Sequence, residues 1–253
     1  MKIEISGLKE NEDAYGNNIS DTYHKLGGGY DIIEREDGHF TLNGDSDAYT
    51  EEFSLWSSIQ KEASKLVEGK TLDIGCGGGK HAIHFQEQGI EVWGMDNSPL
   101  GIDICRKRGL KNSILCDVND LTHDVIAGVS TVYMWGNNAG LLQNQELARR
   151  FLSNCEKICK PNAKILLETL SPFGKAFNYP DDQKYIQENI NNGRMGGQIR
   201  VRVRYRHFAT PWRDYLFFSK EELNTILSAT NWKVEQYYDD EEIAQYIAVL
   251  IRK

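Results

Sequence analysis

The chain of 253 residues has no apolar run that approaches the roughly 18 residues of a membrane-spanning helix, so we expect no membrane span. It also lacks polar tracts, internal repeats and linkers rich in proline, glycine or serine, which argues against low-complexity disorder. Basic residues are in deficit, and the formal net charge is −8. This charge argues against general binding to nucleic acid or to an anionic membrane surface.

Cysteine is sparse as well. The chain has five cysteines, an odd number, and no two of them form a Cys-x-x-Cys pair. The first residues include a lysine and a glutamate where a secretory signal would be apolar. Because disulfides belong to oxidising compartments, these features lead us to expect a cytoplasmic protein with reduced thiols.

From about residue 70, short apolar runs alternate with amphipathic segments, and this pattern is typical of βαβ units. It predicts an α/β fold with a doubly wound, mostly parallel sheet. The predicted strands cover residues 71–74, 91–95, 113–116, 130–135 and 164–170. The predicted helices cover residues 80–88, with Gly89 as a left-handed cap at the end, a segment that Ser98 caps and Pro99 begins, and residues 143–160.

The last part of the chain follows another pattern. Ser219 and Glu222 form a capping box that predicts a helix to about Ala229. Two strands, at 232–238 and 246–251, are separated by only seven residues. Since seven residues cannot hold a crossover helix, we expect these strands to be antiparallel neighbours.

Two regions lie outside this pattern. We expect residues 1–69 to form an N-terminal extension or cap, and residues 70–253 to form the main domain. Within that domain, residues 172–218 interrupt the sheet and are expected to build a substrate lid. Apolar spacing predicts one helix from Thr50 to Glu68, and strict alternation predicts one long strand from Gln198 to Phe208.

The strongest local signal is the glycine cluster that runs from Gly75 to Gly79 directly after a strand. Glycines let a backbone turn sharply and approach a ligand, which then meets the N-terminus of the next helix. The dinucleotide pattern G-x-G-x-x-G/A fails from Gly75, because Lys80 is sixth, but it is met from Gly77 through Ala82. The spacing alone therefore leaves the ligand open.

Three acids at strand ends add information. Asp73 lies just ahead of the glycines, where a carboxylate would repel a pyrophosphate and attract an ammonium group. Asp96 ends the second strand and can accept hydrogen bonds from both hydroxyls of a ribose. Asp117 follows the third strand and can accept from an exocyclic amine of adenine. Together they indicate a nucleoside ligand with a cationic tail and no phosphate.

These features in this order, from about residue 70 to residue 142, resemble the class I S-adenosylmethionine-dependent methyltransferases. The resemblance implies a Rossmann-like sheet of seven strands in the order 3-2-1-4-5-7-6, with the last strand antiparallel and helices on both faces. It implies S-adenosyl-L-methionine as the cofactor. Gly75, Cys76 and Gly77 would line its methionine part, Asp96 would bind the ribose, and Asp117 would bind the adenine amino group.

The resemblance implies four further contacts. Asn97 and Val118 would flank the adenine ring, and the backbone of Trp135 and Gly136 would lie near the methionine amine. We therefore expect methyl transfer to a small-molecule acceptor. Two alternatives stay open: an NAD(P)-dependent oxidoreductase, and a non-catalytic module that only binds S-adenosylmethionine. An RNA methyltransferase is a third, weaker alternative.

The acceptor site is less defined. After the fourth strand the chain lacks both the Asn-Pro-Pro-Tyr motif for amino groups and a Pro-Cys nucleophile. Asn137 or Asn138 can orient an acceptor or simply form a turn. By strand parity, His207 lies on an apolar face and is a candidate base beneath a lid. Oligomeric state and the methylated atom stay open.

Two other groups invite ligand hypotheses. Four arginines alternate along residues 200–206, where they would either meet an anionic substrate or pair with the protein's own acids. His81 and His84 are three residues apart, but no acid or cysteine nearby completes a metal site. We expect no bound metal.

Overall fold

The computed structural model describes the backbone of residues 1–253 and all side chains other than that of Asp45. The chain divides into two compact units, each made of three segments. The first unit comprises Met1–Trp56, Glu68–Leu121 and Arg200–Arg213, and the second comprises Ser57–Val67, Thr122–Ile199 and Asp214–Lys253. These units cut across the expected boundaries at residues 69/70 and 172–218, so the cap and lid roles stay predictions.

The first unit contains four parallel strands in the order β1-β6-β5-β4. Asp73 pairs with Gly94, and Asp96 pairs with Leu115. Because the strands are parallel, their carboxyl ends meet at one edge, and Asp117 follows β6 at that edge. The strands are β1 (Lys2–Glu4), β4 (Thr71–Ile74), β5 (Val92–Asp96) and β6 (Asn112–Leu115).

Strand β1 is an addition to the seven strands that we expected. It comes from the N-terminal extension and pairs in parallel with β6, with Lys2 opposite Ser113 and Glu4 opposite Leu115. Three residues are too few to show a reliable alternation of apolar and polar side chains, so the sequence pattern did not reveal this strand.

A small antiparallel sheet also belongs to the first unit, with strands in the order β10-β9-β2-β3. The prediction of one long strand to Phe208 was wrong. The strand ends at Tyr205, because Arg206 adopts a left-handed conformation (φ 52°) and reverses the chain. The strands are β2 (Tyr30–Arg35), β3 (Phe40–Asp45), β9 (Gln198–Tyr205, whose first two residues belong to the second unit) and β10 (Phe208–Ala209).

The first unit has three α-helices, and two of them begin at a capping side chain: Asp13 precedes Ala14, and Ser98 precedes Pro99. The Ser98 hydroxyl accepts from the backbone N–H of Gly101, and Pro99 is the first helical residue, as predicted. Gly89 follows the second helix with φ 86°, which confirms the expected left-handed cap. The helices are α1 (Ala14–Tyr23), α3 (Lys80–Glu87) and α4 (Pro99–Lys107).

The second unit contains strands in the order β7-β8-β13-β12. β7 and β8 are parallel, whereas β13 is antiparallel to both β8 and β12. The expected antiparallel pair near the end of the chain is therefore confirmed. The strands are β7 (Val129–Met134), β8 (Cys159–Leu170), β11 (Arg213–Leu216, whose first residue belongs to the first unit), β12 (Trp232–Asp240) and β13 (Gln245–Arg252).

The prediction of one helix from Thr50 to Glu68 was wrong. Instead of a helix from Thr50 to Glu68, a shorter helix begins after Ser57, whose hydroxyl accepts from Gln60 N–H. The backbone at Trp56 is extended (ψ 153°), which ends any helix before it. The capping box at Ser219 is confirmed. The helices are α2 (Ser58–Ser64), α5 (Gln145–Ile158), α6 (Pro180–Asn191) and α7 (Lys220–Leu227).

The fold class is confirmed: a Rossmann-like α/β fold with mostly parallel strands flanked by helices. The longest α-helix, α5, has 14 residues. Within the described part of the chain, no helix combines the length and the apolar character that crossing a bilayer requires.

Candidate functional site

The glycine loop connects β4 to α3 at the carboxyl edge of the first unit's parallel strands. Gly75, Gly77 and Gly79 have φ values of 76°, 52° and 84°, a region that disfavours residues with a Cβ atom. The N–H groups of Gly75 and Cys76 both donate to the carbonyl of Met95, at 2.8 and 3.1 Å. The loop is thus fixed to the end of β5.

Residues of the N-terminal extension pack against this loop. A Cβ atom at Gly78 would lie 2.9 Å from the backbone oxygen of Tyr49 and 3.3 Å from the Ile19 side chain. The Arg108 guanidinium donates to the carbonyls of Gly78 and Thr50. The sequence did not indicate whether this segment covers the loop, and the structure shows that it contacts the loop from α1 and from residues 49–50.

Asp96 lies at the end of β5 and is held by backbone groups. One carboxylate oxygen accepts from Gly77 N–H at 2.8 Å, and the other accepts from Ser98 N–H at 2.9 Å. Burial raises the pKa of Asp96 above its ordinary value, although these N–H groups oppose the shift. Each oxygen retains acceptor capacity, because a carboxylate oxygen can accept about two hydrogen bonds.

A second buried acid, Asp13, shares Ser98 with Asp96. The Asp13 carboxylate accepts from the Ser98 hydroxyl at 2.9 Å and from Leu100 N–H at 3.1 Å, and it caps α1 by accepting from Gly16 N–H at 3.0 Å. Burial raises the pKa of Asp13. Sequence reasoning missed this residue: an aspartate before a helix indicates an N-cap, but not its distant partners.

Asp117 follows β6 and has a different set of partners. One oxygen accepts from Asn119 N–H and from the Asn119 side-chain amide, at 3.0 and 2.9 Å. The other accepts from Asn97 Nδ2 at 3.0 Å and from Arg213 Nη2 at 3.1 Å. Burial raises its pKa, but the Asn119 hydrogen bond and the Arg213 charge outweigh burial and hold the pKa of Asp117 below its usual value. The sequence pattern did not link Arg213 to Asp117.

Three other expected site residues are also placed in the first unit. Asp73 is buried within β4, two residues before the first loop glycine, and Val118 is buried beside Asp117. The Cys76 sulfur lies 3.8 Å from the Cys105 sulfur. The neighbouring Cys105 thiol and burial raise the pKa of Cys76 well above its usual value, so it stays a neutral thiol and not a nucleophile.

In the second unit, the segment after β7 is held by a buried carboxylate. Glu168, at the end of β8, is 1% exposed. It accepts from Gly136 N–H at 2.6 Å, and from the side-chain amides of Gln60 and Gln245 at 2.8 Å each. Trp135, just before, is buried. No sequence pattern indicated Glu168, because its partners come from three distant segments.

The two asparagines after β7 form a turn. Asn137 has φ 64°, and Asn138 begins a short 3-10 helix. The Tyr215 hydroxyl donates to the Asn137 carbonyl, and a Cβ atom at Gly140 would lie 2.0 Å from the Tyr215 ring. Burial, and next the charge of Glu168, raise the pKa of Tyr215, so this phenol stays protonated. The turn-forming alternative for the asparagines is thus what the backbone shows.

His207 is not on the apolar strand face where we expected a candidate base. The strand ends before it, so His207 lies exposed in the turn between β9 and β10, not on the buried face. The nearby arginines are engaged: Arg202 and Arg204 both donate to Glu34. These hydrogen bonds lower the pKa of Glu34 to about 2. The arginine strand therefore pairs with the protein's own acids.

The histidine pair also has a structural explanation. His81 is buried against the Trp56 ring, with ring centres 4.5 Å apart, and His84 stacks on Phe53 at 4.6 Å. Burial lowers the pKa of His81 well below its usual value, so this imidazole is neutral. Among the described side chains, no group of three or more His, Cys, Asp or Glu has a metal-binding arrangement.

Comparisons with known proteins find a matching family model and similar sequences. Residues 49–237 match the family model described as a methyltransferase domain. A ubiquinone biosynthesis O-methyltransferase from Histophilus somni is 24% identical over 125 residues, which is 47% of this chain and 52% of that protein. Its mitochondrial counterpart from Schizosaccharomyces pombe is 27% identical over 117 residues, covering 46% and 43%. The chain thus spans about half the length of these relatives.

One solved structure is similar over nearly the whole chain. A SAM-dependent methyltransferase from Bacteroides fragilis, crystallised with S-adenosyl-L-homocysteine, superposes with a TM-score of 0.83 and 21% identity. The match covers 98% of both chains. At this identity, the similarity shows a common fold.

Proposed function

The chain belongs to the class I S-adenosylmethionine-dependent methyltransferases, and from that membership we propose that it transfers the methyl group of S-adenosyl-L-methionine to a small-molecule acceptor. The observation that carries this proposal is the environment of Asp96. Its carboxylate ends β5 beside the glycine loop, and each oxygen accepts one backbone hydrogen bond. The remaining acceptor capacity matches two vicinal ribose hydroxyls.

Other residues of the first unit suit the remaining parts of the cofactor. The left-handed glycines allow close approach along Gly75, Cys76 and Gly77. Asp117 offers a carboxylate at the end of β6, where we assign the adenine amino group, with Asn97 and Val118 beside the ring. Asp73 contributes a buried negative charge that suits an ammonium group and opposes a phosphate. When bound, the cofactor supplies an electrophilic methyl group on a sulfonium.

For the second unit we propose a positioning role. Glu168 fixes the N–H of Gly136, and Gln245 donates both to Glu168 and to the side-chain oxygen of Asn137. The family resemblance assigns the backbone of Trp135 and Gly136 to the methionine part of the cofactor. A rigid turn here would orient reacting groups, and orientation contributes much of the rate in a displacement reaction.

The acceptor is a small molecule in this proposal, and nucleic acid is not a partner. Of the arginines that could meet a phosphate backbone, Arg202 and Arg204 pair with Glu34, and Arg206 pairs with Asp21. Residues 172–218 would form the acceptor side, as the lid hypothesis states. Five cysteines without a disulfide support a reducing, cytoplasmic location.

Calorimetry with two ligands tests the cofactor. We expect S-adenosylhomocysteine to bind and NADH not to bind, because Asp73 disfavours a pyrophosphate. Tight binding of NADH without binding of S-adenosylhomocysteine would establish the oxidoreductase alternative instead. A non-catalytic module would bind S-adenosylhomocysteine but transfer no radiolabelled methyl group to any fraction of a metabolite extract.

A further inference from the structure

Asp117 has no acceptor capacity left. Its two oxygens accept four hydrogen bonds, two from Asn119, one from Asn97 and one from Arg213. Four is the full complement of a carboxylate. Asp96 differs in this respect, because one backbone N–H group bonds to each of its oxygens and acceptor capacity remains. An adenine amino group that donates to Asp117 must therefore replace one of the four donors.

Arg213 is the donor that can leave. The Asn119 contacts are local and cap a short turn. Asn97 lies in the turn after Asp96, and its carbonyl accepts from Leu8 N–H at 2.9 Å. Arg213, in contrast, reaches Asp117 from a segment that is 96 residues away in the chain, through a single guanidinium nitrogen. Its side chain is 29% exposed, so water can solvate the guanidinium once it is released.

The backbone that carries Arg213 is anchored independently of Asp117. The Arg202 guanidinium lies over the ring of the neighbouring Trp212, with 4.6 Å between the Arg202 Cζ atom and the ring centre. Arg202 in turn donates two hydrogen bonds to Glu34, at 2.8 and 3.0 Å. Release of Arg213 thus requires only a side-chain rotation, while Trp212 keeps the segment in place.

From this geometry we infer that Arg213 is a selectivity residue of the nucleoside site, which the adenine 6-amino group displaces from Asp117. The inference rests on the proposed function, because it takes Asp117 as the adenine partner. Arg213 competes with the ligand for one carboxylate oxygen. It therefore lowers the affinity for 6-amino purines, and it leaves unchanged the affinity for purines that have no group to donate there.

The test compares two ligands on three proteins. The ligands are S-adenosylhomocysteine and its analogue with hydrogen in place of the 6-amino group. The proteins are the parent, Arg213→Ala, and the control Arg204→Ala, which removes a cation of the same segment that pairs with Glu34 and not with Asp117. Calorimetry gives the affinities, and circular dichroism verifies folding. Arg213→Lys, which keeps the charge, provides a second variant if Arg213→Ala is unstable.

We expect Arg213→Ala to bind S-adenosylhomocysteine about three- to fivefold more tightly, the size of a partly exposed ion pair. The analogue should change less than about twofold, and Arg204→Ala should change neither affinity. Arg213→Lys should fall between the parent and Arg213→Ala. Weaker binding of S-adenosylhomocysteine to Arg213→Ala, or an equal change for both ligands, would overturn the inference. If the parent binds neither ligand, it is the proposed function that fails.

Discussion

The parallel strand ends and the small antiparallel sheet of the first unit stabilise their carboxylates in opposite ways. At the strand ends, the two Asp96 oxygens accept hydrogen bonds from backbone N–H groups. One comes from Gly77 in the glycine loop, and the other comes from Ser98 in the turn after β5. In the small sheet, Glu34 receives two arginine side chains from β9. Asp31, on the same strand as Glu34, is fully buried.

The difference shows which acids depend on the backbone and which depend on other side chains. Turns hold backbone N–H groups at fixed positions, so the hydrogen bonds to Asp96 form whenever the backbone folds and need no other side chain. Glu34 depends instead on the side chains of Arg202 and Arg204, and a substitution of either arginine removes its hydrogen bond. Asp31 has Asn18 and Asn43 near it as its main polar neighbours, and burial raises its pKa to about 6. Three substitutions sharpen this contrast.

The largest effect is expected at the strand end. Asp96→Ala should weaken S-adenosylhomocysteine binding by roughly 2–3 kcal/mol, because charge-assisted hydrogen bonds to two hydroxyls are lost. Calorimetry measures this loss. The matched control is Asp103→Ala, an aspartate on α4 that forms a surface pair with Lys107. Equal affinities of Asp96→Ala and the parent protein would show that this acid does not bind the ribose.

Asp31→Asn should change how stability depends on pH. The folded-state pKa of about 6 exceeds the usual 3.8, so the unfolded chain releases this proton first as pH rises. The parent therefore loses about 2–3 kcal/mol of unfolding free energy between pH 4 and pH 7 through this group. Asp31→Asn has no such proton to release.

Urea unfolding of both proteins at pH 4.5 and pH 8 measures the difference. We expect Asp31→Asn to be stabilised relative to the parent at pH 8, and less so or not at all at pH 4.5. A stability difference between the two proteins that is the same at both pH values would contradict a raised pKa at Asp31.

The smallest effect is expected for Glu34→Gln. The pKa of Glu34 is lowered to about 2, so its ion pairs stabilise the fold above its usual pKa of 4.5, and this contribution is lost as pH falls toward 2. Because the pairs are partly exposed, Glu34→Gln should lower the melting temperature slightly at pH 7 in low salt. In 1 M salt the two proteins should melt together. A large drop that persists in salt would mean that Glu34 has a packing role.

The sequence predicted what local rules determine. The capping residues Ser98 and Ser219 and the acid at position 96 could be recognised because a strand end or a helix start lies within a few residues. The helix from Thr50 failed for the opposite reason: its apolar spacing is helical, but Ser57 caps a shorter helix and Trp56 is extended.

Partners from distant segments could not be predicted. Arg213 reaches Asp117 across 96 positions, and Gln60 reaches Glu168 across 108. No periodicity links such residues, because their contact depends on the complete fold. His207 could not be placed even from nearby residues. The alternating pattern assigns it to the apolar face, but the left-handed residue Arg206 ends the strand before it.

The crowding at Gly78 has a consequence for mutational libraries. Three loop glycines are dictated by backbone conformation, whereas Gly78 is dictated by the carbonyl of Tyr49, which leaves no space for a methyl group. This requirement exists whatever the ligand is. A library aimed at new cofactor analogues should therefore keep position 78 as glycine and vary residues that the fold does not itself constrain. Variants at position 78 would be lost through misfolding of the loop before selection for binding could act on them.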